Sequence, residues 1–146
     1  MSKEEFTLNL PAPTENLFKI ATKYENYQKF FEGYLKSVTI IEKNENKTKT
    51  KEVFFFKSLF NHEMIQESIH TTKENCINTE VVEGPFKGTI LETLFNKTET
   101  GTQIKIIIDY KIGLKYKILA PIIKQKYKII ATGLLYKMNT LAMTEN

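Results

Sequence analysis

Two histidines, one cysteine and a scatter of carboxylates are the side chains here whose types could do chemistry. His62 and His70 stand eight positions apart on or beside one extended stretch. At roughly 3.3 Å per residue they lie about 26 Å from each other, too far to share a metal. His70 shares a strand face with Met64, Gln66 and Ser68, so it is a candidate general base if that face lines a pocket. Glu83 and Glu92 flank a Gly84-Pro85-Phe86 turn, but Glu92 has the opposite parity to Leu91 and Phe95, which points it at solvent. Cys76 is the single cysteine, which excludes an internal disulfide and a multi-cysteine zinc cluster; after a Lys-Glu-Asn turn it reads as an inert thiol. No nucleophile elbow, phosphate loop, paired catalytic carboxylates or Cys/His array is present. No metal or cofactor is called for.

What the chain has instead is apolar bulk and lysine. All 21 basic residues are Lys. Without arginine there is no forked donor for bidentate phosphate or guanine contacts, which weighs against sequence-specific nucleic-acid binding. Six of the lysines fall from Lys111 to Lys128 with no acid among them. Such a stretch reads either as a solvated helix face or as a surface drawn to an anionic membrane or to nucleic acid. The 146 residues, 41% hydrophobic and 26% charged, suit one globular domain over 1–146 with a real core. No apolar run reaches the roughly 18 residues of a membrane span, and the start carries no signal-peptide core, so a cytoplasmic protein is expected.

These residues must be positioned by elements that the hydrophobic periodicity locates. Phe6, Leu8 and Leu10 alternate along 4–10, a strand that Pro11 and Pro13 end. Thr14 is the expected N-cap of a short helix carrying Leu17, Phe18, Ile20 and Ala21. A second short helix is expected over 25–31, closed by Gly33. Six extended segments follow at 35–43, 48–58, 63–72, 76–83, 89–97 and 103–112, joined by short polar turns, the pattern of an antiparallel meander. After a turn at 114–119, a long helix is expected over 121–143. Its apolar stripe is Ile123, Tyr127, Ile130, Leu134, Met138 and Leu141, and Ile122, Ile129 and Tyr136 form a thinner second ridge. The order predicts an α+β fold: a curved seven-stranded antiparallel sheet wrapped around the C-terminal helix, with two short helices after the first strand.

The helix and sheet faces between them carry Phe54, Phe56, Leu91, Phe95, Ile104, Ile106, Ile108 and Tyr110 on one side. Tyr127, Ile130, Leu134 and Met138 lie opposite. By themselves these residues fit a filled core as well as a cavity with an apolar lining. Choosing Phe54 and Phe56 over Val53 and Phe55 is a choice of parity within an unbroken apolar run.

Three segments carry a resemblance to a known family. They are Leu10-Pro11-Ala12-Pro13 with Leu17-Phe18, the run from Tyr24 through Tyr27 and Phe30 to Gly33, and Val81-Val82-Glu83-Gly84-Pro85-Phe86-Lys87. Together with the element order they resemble the START-like helix-grip (SRPBCC) superfamily. Within it, the likeness is to the coenzyme Q-binding START-domain proteins, the ribosome association toxins and the polyketide cyclases. The family often has Pro where this chain has Gln28, and Trp where it has Thr93, which takes a large ring from the cavity wall. The resemblance implies a hydrophobic pocket under the C-terminal helix for a lipid-like molecule such as a quinone, with Phe86 joining the residues above as its lining.

Three functions are then in play. The leading one is a carrier or chaperone of a hydrophobic small molecule, peripheral at a membrane through the stretch from Lys111 to Lys128. The second is a polyketide cyclase or dehydratase, with His70 or Glu92 as acid or base. The third is a ribosome-associated regulator that uses the same lysines against phosphate.

Overall fold

The period-two segments become one sheet. In the computed structural model, which describes residues 2–30, 33–55 and 63–144, the strands are β1 (Ser2–Leu10), β2 (Leu35–Lys43), β3 (Lys47–Phe55), β4 (Glu63–Lys73), β5 (Cys76–Glu83), β6 (Ile90–Thr98) and β7 (Gly101–Tyr110). Their order is β1-β7-β6-β5-β4-β3-β2, with every neighbouring pair antiparallel. The six-strand meander is thus completed by the first strand pairing back onto the last. Helix α1 (Thr14–Ala21), a 3-10 turn (Tyr24–Asn26) and the single-turn α2 (Tyr27–Phe30) follow β1. A 3-10 turn (Leu114–Leu119) leads into α3 (Ala120–Thr144), 25 residues long. This is the α+β architecture that the pattern predicts, in the helix-grip form that the resemblance implies.

β7 shows why the sheet forms where it does. Thr102, Ile104, Ile106, Ile108 and Tyr110 are buried in strict alternation with less buried neighbours, so one face of the strand is core throughout. The strand stops at Tyr110 and leaves Ile112 beyond the ladder. Of the expected third strand, only the part to Phe55 lies within the described residues; Phe56 and Ser58 fall outside them.

Two local expectations are corrected. Pro13 holds the N-cap position of α1, and Thr14 is its first helical residue. Its hydroxyl is hydrogen-bonded instead to Thr102 Oγ1 at 2.8 Å, fastening α1 to β7. On α3, Leu141 is exposed, whereas Leu135 and Ala142 join Ile123, Ile130 and Met138 in the buried face. The cause is a change of partner along the helix. Its C-terminal turns lie against α1 and the turn before it, where Ala12 N donates to Asn139 Oδ1 at 2.9 Å and Asn16 Nδ2 to the Ala142 carbonyl at 3.4 Å. The buried direction therefore moves round by about one residue, or about 100°.

Candidate functional site

Between α3 and the inner face of the sheet lies a cavity of about 170 Å³. Eight of the expected residues line it: Phe54, Leu91, Phe95 and Ile106 from the strands, and Tyr127, Ile130, Leu134 and Met138 from α3. Thr93 lines it too. Phe86, Ile104, Ile108 and Tyr110 are buried but stand outside the lining. Phe86 and Tyr110 pack edge-on against the Tyr127 ring, with centroids 5.8 and 5.7 Å away, and so back the cavity wall rather than form it. Tyr110 also donates from its hydroxyl to Glu4 on the neighbouring strand, at 3.1 Å. Ile108 shares the inward face of β7 with Ile106, one step nearer Tyr110, beyond the reach of the cavity. Phe56 lies outside the described residues.

One end of this apolar space is polar. β3 and β4 place Thr50 opposite Ser68, Glu52 opposite Gln66 and Thr48 opposite His70, while β5 sets Thr79 against His70. Thr50, Glu52, Gln66, Ser68, His70 and Thr79 all line the cavity. Glu52 accepts from Gln66 Nε2 at 3.0 Å and from Ser68 Oγ at 2.6 Å on one carboxyl oxygen, and from the Thr50 hydroxyl on the other. Because Thr50 Oγ1 donates to Glu52, it must accept from His70 Nε2, 2.8 Å away. His70 Nδ1 then accepts from Thr79 Oγ1, also at 2.8 Å. The network selects a neutral imidazole with its proton on Nε2, and a chain of hydrogen bonds runs from Thr79 through His70 and Thr50 to Glu52. Tyr24 stacks on the His70 ring, with centroids 4.0 Å apart and planes 14° from parallel.

Burial sets the charge states. It pushes the Glu52 carboxyl up from its ordinary range, against the pull of its bonds to Ser68, Thr50 and Gln66; nearby Glu67 adds to the rise. It drives His70 down to about 4, so the ring is uncharged near neutral pH. The Tyr127 hydroxyl is raised by burial and then by the charge of Glu52, and the Gln66 side chain beside it draws it partly back, which places it at the polar end. Two buried atoms of this end have no hydrogen-bond partner among the described residues, Gln66 Oε1 and the Tyr127 hydroxyl.

Of this cluster, the sequence pointed to His70 with Gln66 and Ser68 on its face, but not to Glu52. The signal was present. Lys47, Lys49 and Lys51 alternate with Thr48, Thr50 and Glu52, and lysines must face water, so the odd face is outside and Glu52 turns in. Glu92, the other acid–base suspect, stays out of the cavity lining, as its parity predicts.

A second feature lies at the start of α3. Lys87, Lys111 and Lys117 line an open cleft with Tyr110 and Pro85. Beside it the 3-10 turn leaves Leu114 86% and Ile118 91% exposed. The ridge of Ile122, Ile129 and Tyr136 is exposed as well. Among the described residues no helix is long and apolar enough to cross a membrane.

With this geometry in hand, comparison with known proteins gives a consistent picture. The family described as polyketide cyclase / dehydrase and lipid transport matches residues 10–137. No curated protein matches the chain. Among solved structures, TTHA0849 from Thermus thermophilus is 15% identical, with a TM-score of 0.83 over 99% of this chain and 100% of that one. The Zhui aromatase/cyclase from Streptomyces sp. R1128 is 13% identical, with a TM-score of 0.82 over 97% of this chain and 93% of its own. A START superfamily protein from Mycobacterium smegmatis is 14% identical, with a TM-score of 0.76 over 95% and 98%. At such identities these structures share the fold.

Proposed function

Since the chain belongs to the polyketide cyclase / dehydrase and lipid transport family, we propose that it is a carrier for a hydrophobic small molecule held between sheet and α3. The observation that carries this reading is the cavity itself, with apolar walls from β6, β7 and α3 and a few polar groups gathered at one end. About 170 Å³ suits a single ring with small substituents, since an apolar cavity of roughly 150 Å³ holds benzene. An isoprenoid quinone would place its ring here, and its tail would have to follow another path. The carrier would collect its cargo at an anionic bilayer. Leu114 and Ile118 project where they could enter the interface, and Lys87, Lys111 and Lys117 beside them would meet lipid phosphates. Exposed apolar side chains favour this surface for lipid over ribosomal phosphate, which would use the lysines alone.

Native mass spectrometry of protein purified without detergent tests the reading. A retained mass of a ring-bearing lipid-like molecule supports it, and Leu134→Asp should lose that mass while circular dichroism stays unchanged. A clean unliganded mass that added quinones or phenols leave unaltered counts against it.

A cyclase or dehydratase is the second reading, favoured by Glu52, a buried carboxyl raised towards its protonated form at the cavity's polar end. It ranks below the carrier because both carboxyl oxygens already accept hydrogen bonds from Thr50, Gln66 and Ser68. Turnover of a polyketide-like substrate that disappears in Glu52→Gln would reverse the ranking.

A further inference from the structure

The polar end of the cavity has a donor–acceptor pattern of its own, and on the carrier reading it selects ligands by functional group. Glu52 fixes the Gln66 amide. Its Nε2 donates to Glu52 Oε1 at 3.0 Å and lies 3.5 Å from Ser68 Oγ. Turning the amide over would set its oxygen against a carboxyl that already serves as acceptor. Gln66 Oε1 is thereby held as a bare acceptor, on a side chain only 5% exposed. The Tyr127 hydroxyl comes from α3 to stand beside the Gln66 side chain, close enough to feel it, yet makes no hydrogen bond of normal geometry to any described residue. Its ring is held from behind by Phe86 and Tyr110. Both residues line the cavity. Buried polar atoms of this kind are costly to leave unmet, and here a ligand can meet them.

We propose that Gln66 Oε1 and the Tyr127 hydroxyl together recognise a hydroxyl group on a ring-bearing ligand, which accepts from Tyr127 and donates to Gln66.

Other groups match less well. A ketone or quinone carbonyl accepts from Tyr127 but offers Gln66 nothing. A carboxylate has the same defect and adds repulsion from Glu52. An ammonium group donates to Gln66 but leaves without an acceptor the proton that burial keeps on Tyr127. A hydrocarbon meets neither atom. Of these groups, a hydroxyl is the one that both donates and accepts through a single atom. For a ring that exists in oxidised and reduced forms, the site therefore favours the reduced, hydroxyl form over the dicarbonyl.

The test is a set of titrations followed by amide NMR shifts, using ligands of one size. They are p-cresol against p-xylene, which replaces hydroxyl by methyl, and 4-methylcyclohexanol against 4-methylcyclohexanone. Cresol should bind more tightly than xylene despite its stronger hydration, and the alcohol more tightly than the ketone. Tyr127→Phe keeps the ring contacts and removes one oxygen. It should lower the cresol-to-xylene affinity ratio by about tenfold, the equivalent of one hydrogen bond. Xylene binding with no advantage for cresol, or an advantage that survives Tyr127→Phe, overturns the hydroxyl assignment and leaves the carrier reading standing. If none of the four ligands binds, both fall.

Discussion

Lowering the pH from 7 to 4 forces a charge onto a buried ring, and that gives a direct measure of how firmly the cavity's polar end is built. In the unfolded chain His70 takes up a proton near its ordinary 6.5, whereas in the folded protein burial holds it at about 4. Between those values the unfolded state binds more protons, so stability rises with pH. His70's contribution is fully present above 6.5 and is lost as the pH falls through that window towards 4. At about 1.4 kcal/mol for each pH unit, the difference amounts to about 3 kcal/mol. Among the described residues, Glu52 and Tyr24 bear on His70. Glu52 is linked to His70 through Thr50, and Tyr24 is stacked on the ring but stays neutral throughout this range. Glu52 acts with the opposite sign, because its folded carboxyl is raised: stability falls as pH climbs above the ordinary carboxyl value of 4.5. The measurement is therefore a difference. Urea unfolding of the wild type and of His70→Gln is compared at pH 7, 5.5 and 4. Glutamine can accept from Thr79 and donate to Thr50, so it preserves the chain of hydrogen bonds without titrating. The wild type should lose about 3 kcal/mol more than the variant across the window. Equal losses, or an NMR titration of His70 with its midpoint near 6.5, would refute the claim that burial keeps this ring neutral.

Three further outcomes follow from particular contacts. Tyr127→Phe removes a buried hydroxyl that has no partner among the described residues, so the unliganded protein should unfold at equal or higher urea, with a gain of up to about 1 kcal/mol; a clear loss would mean that the hydroxyl is already bonded. Gly84→Ala should cost more than about 1 kcal/mol in thermal unfolding, because Gly84 has φ +116° and a Cβ there would lie 2.9 Å from both Gln66 Cβ and the Ile65 carbonyl. That contact also predicts altered amide shifts at Gln66. Replacing Leu114 and Ile118 together by Ser should weaken sedimentation with anionic vesicles severalfold and leave stability within about 0.5 kcal/mol, since both side chains are almost wholly in solvent. Unchanged vesicle binding would remove the 3-10 turn from the membrane contact.

The architecture could be read from the chain because one-sided burial writes itself as period. β2 and β5 span 35–43 and 76–83 as alternation and turn residues predict. β7 declares its face through three isoleucines and a tyrosine in register with β1 and β6. Ends were less legible, because an end depends on what receives it. Thr14 has the chemistry of a cap, but Thr102 across the structure holds its hydroxyl. Leu141 and Ala142 exchange roles because α3 leaves the sheet for α1, a tertiary event with no local signature.

The cavity divides along the same line. Its apolar wall followed from parity, and the strand residues that fell outside it, Ile104, Ile108 and Tyr110, are inward-facing all the same: parity assigns a face but not the extent of an empty space along it, and Phe86, which the resemblance added, backs the wall likewise. The polar end was harder because a buried threonine or glutamate looks like a surface residue until its neighbours are considered. In the Lys-Thr-Lys-Thr-Lys-Glu run, each lysine excludes its own face from the core and so implies the other. With Glu52 assigned inward, antiparallel register across from Gln66 and Ser68 supplies the donors that a buried carboxyl requires. Those strands satisfy Glu52 and His70 almost completely. Among the described residues, Gln66 Oε1 and the Tyr127 hydroxyl brought in by α3 are the buried side-chain atoms without a hydrogen-bond partner. On the proposed reading, the sheet thus supplies a fixed polar reference and the helix that closes the cavity supplies its counterpart, so recognition depends on the helix being in place.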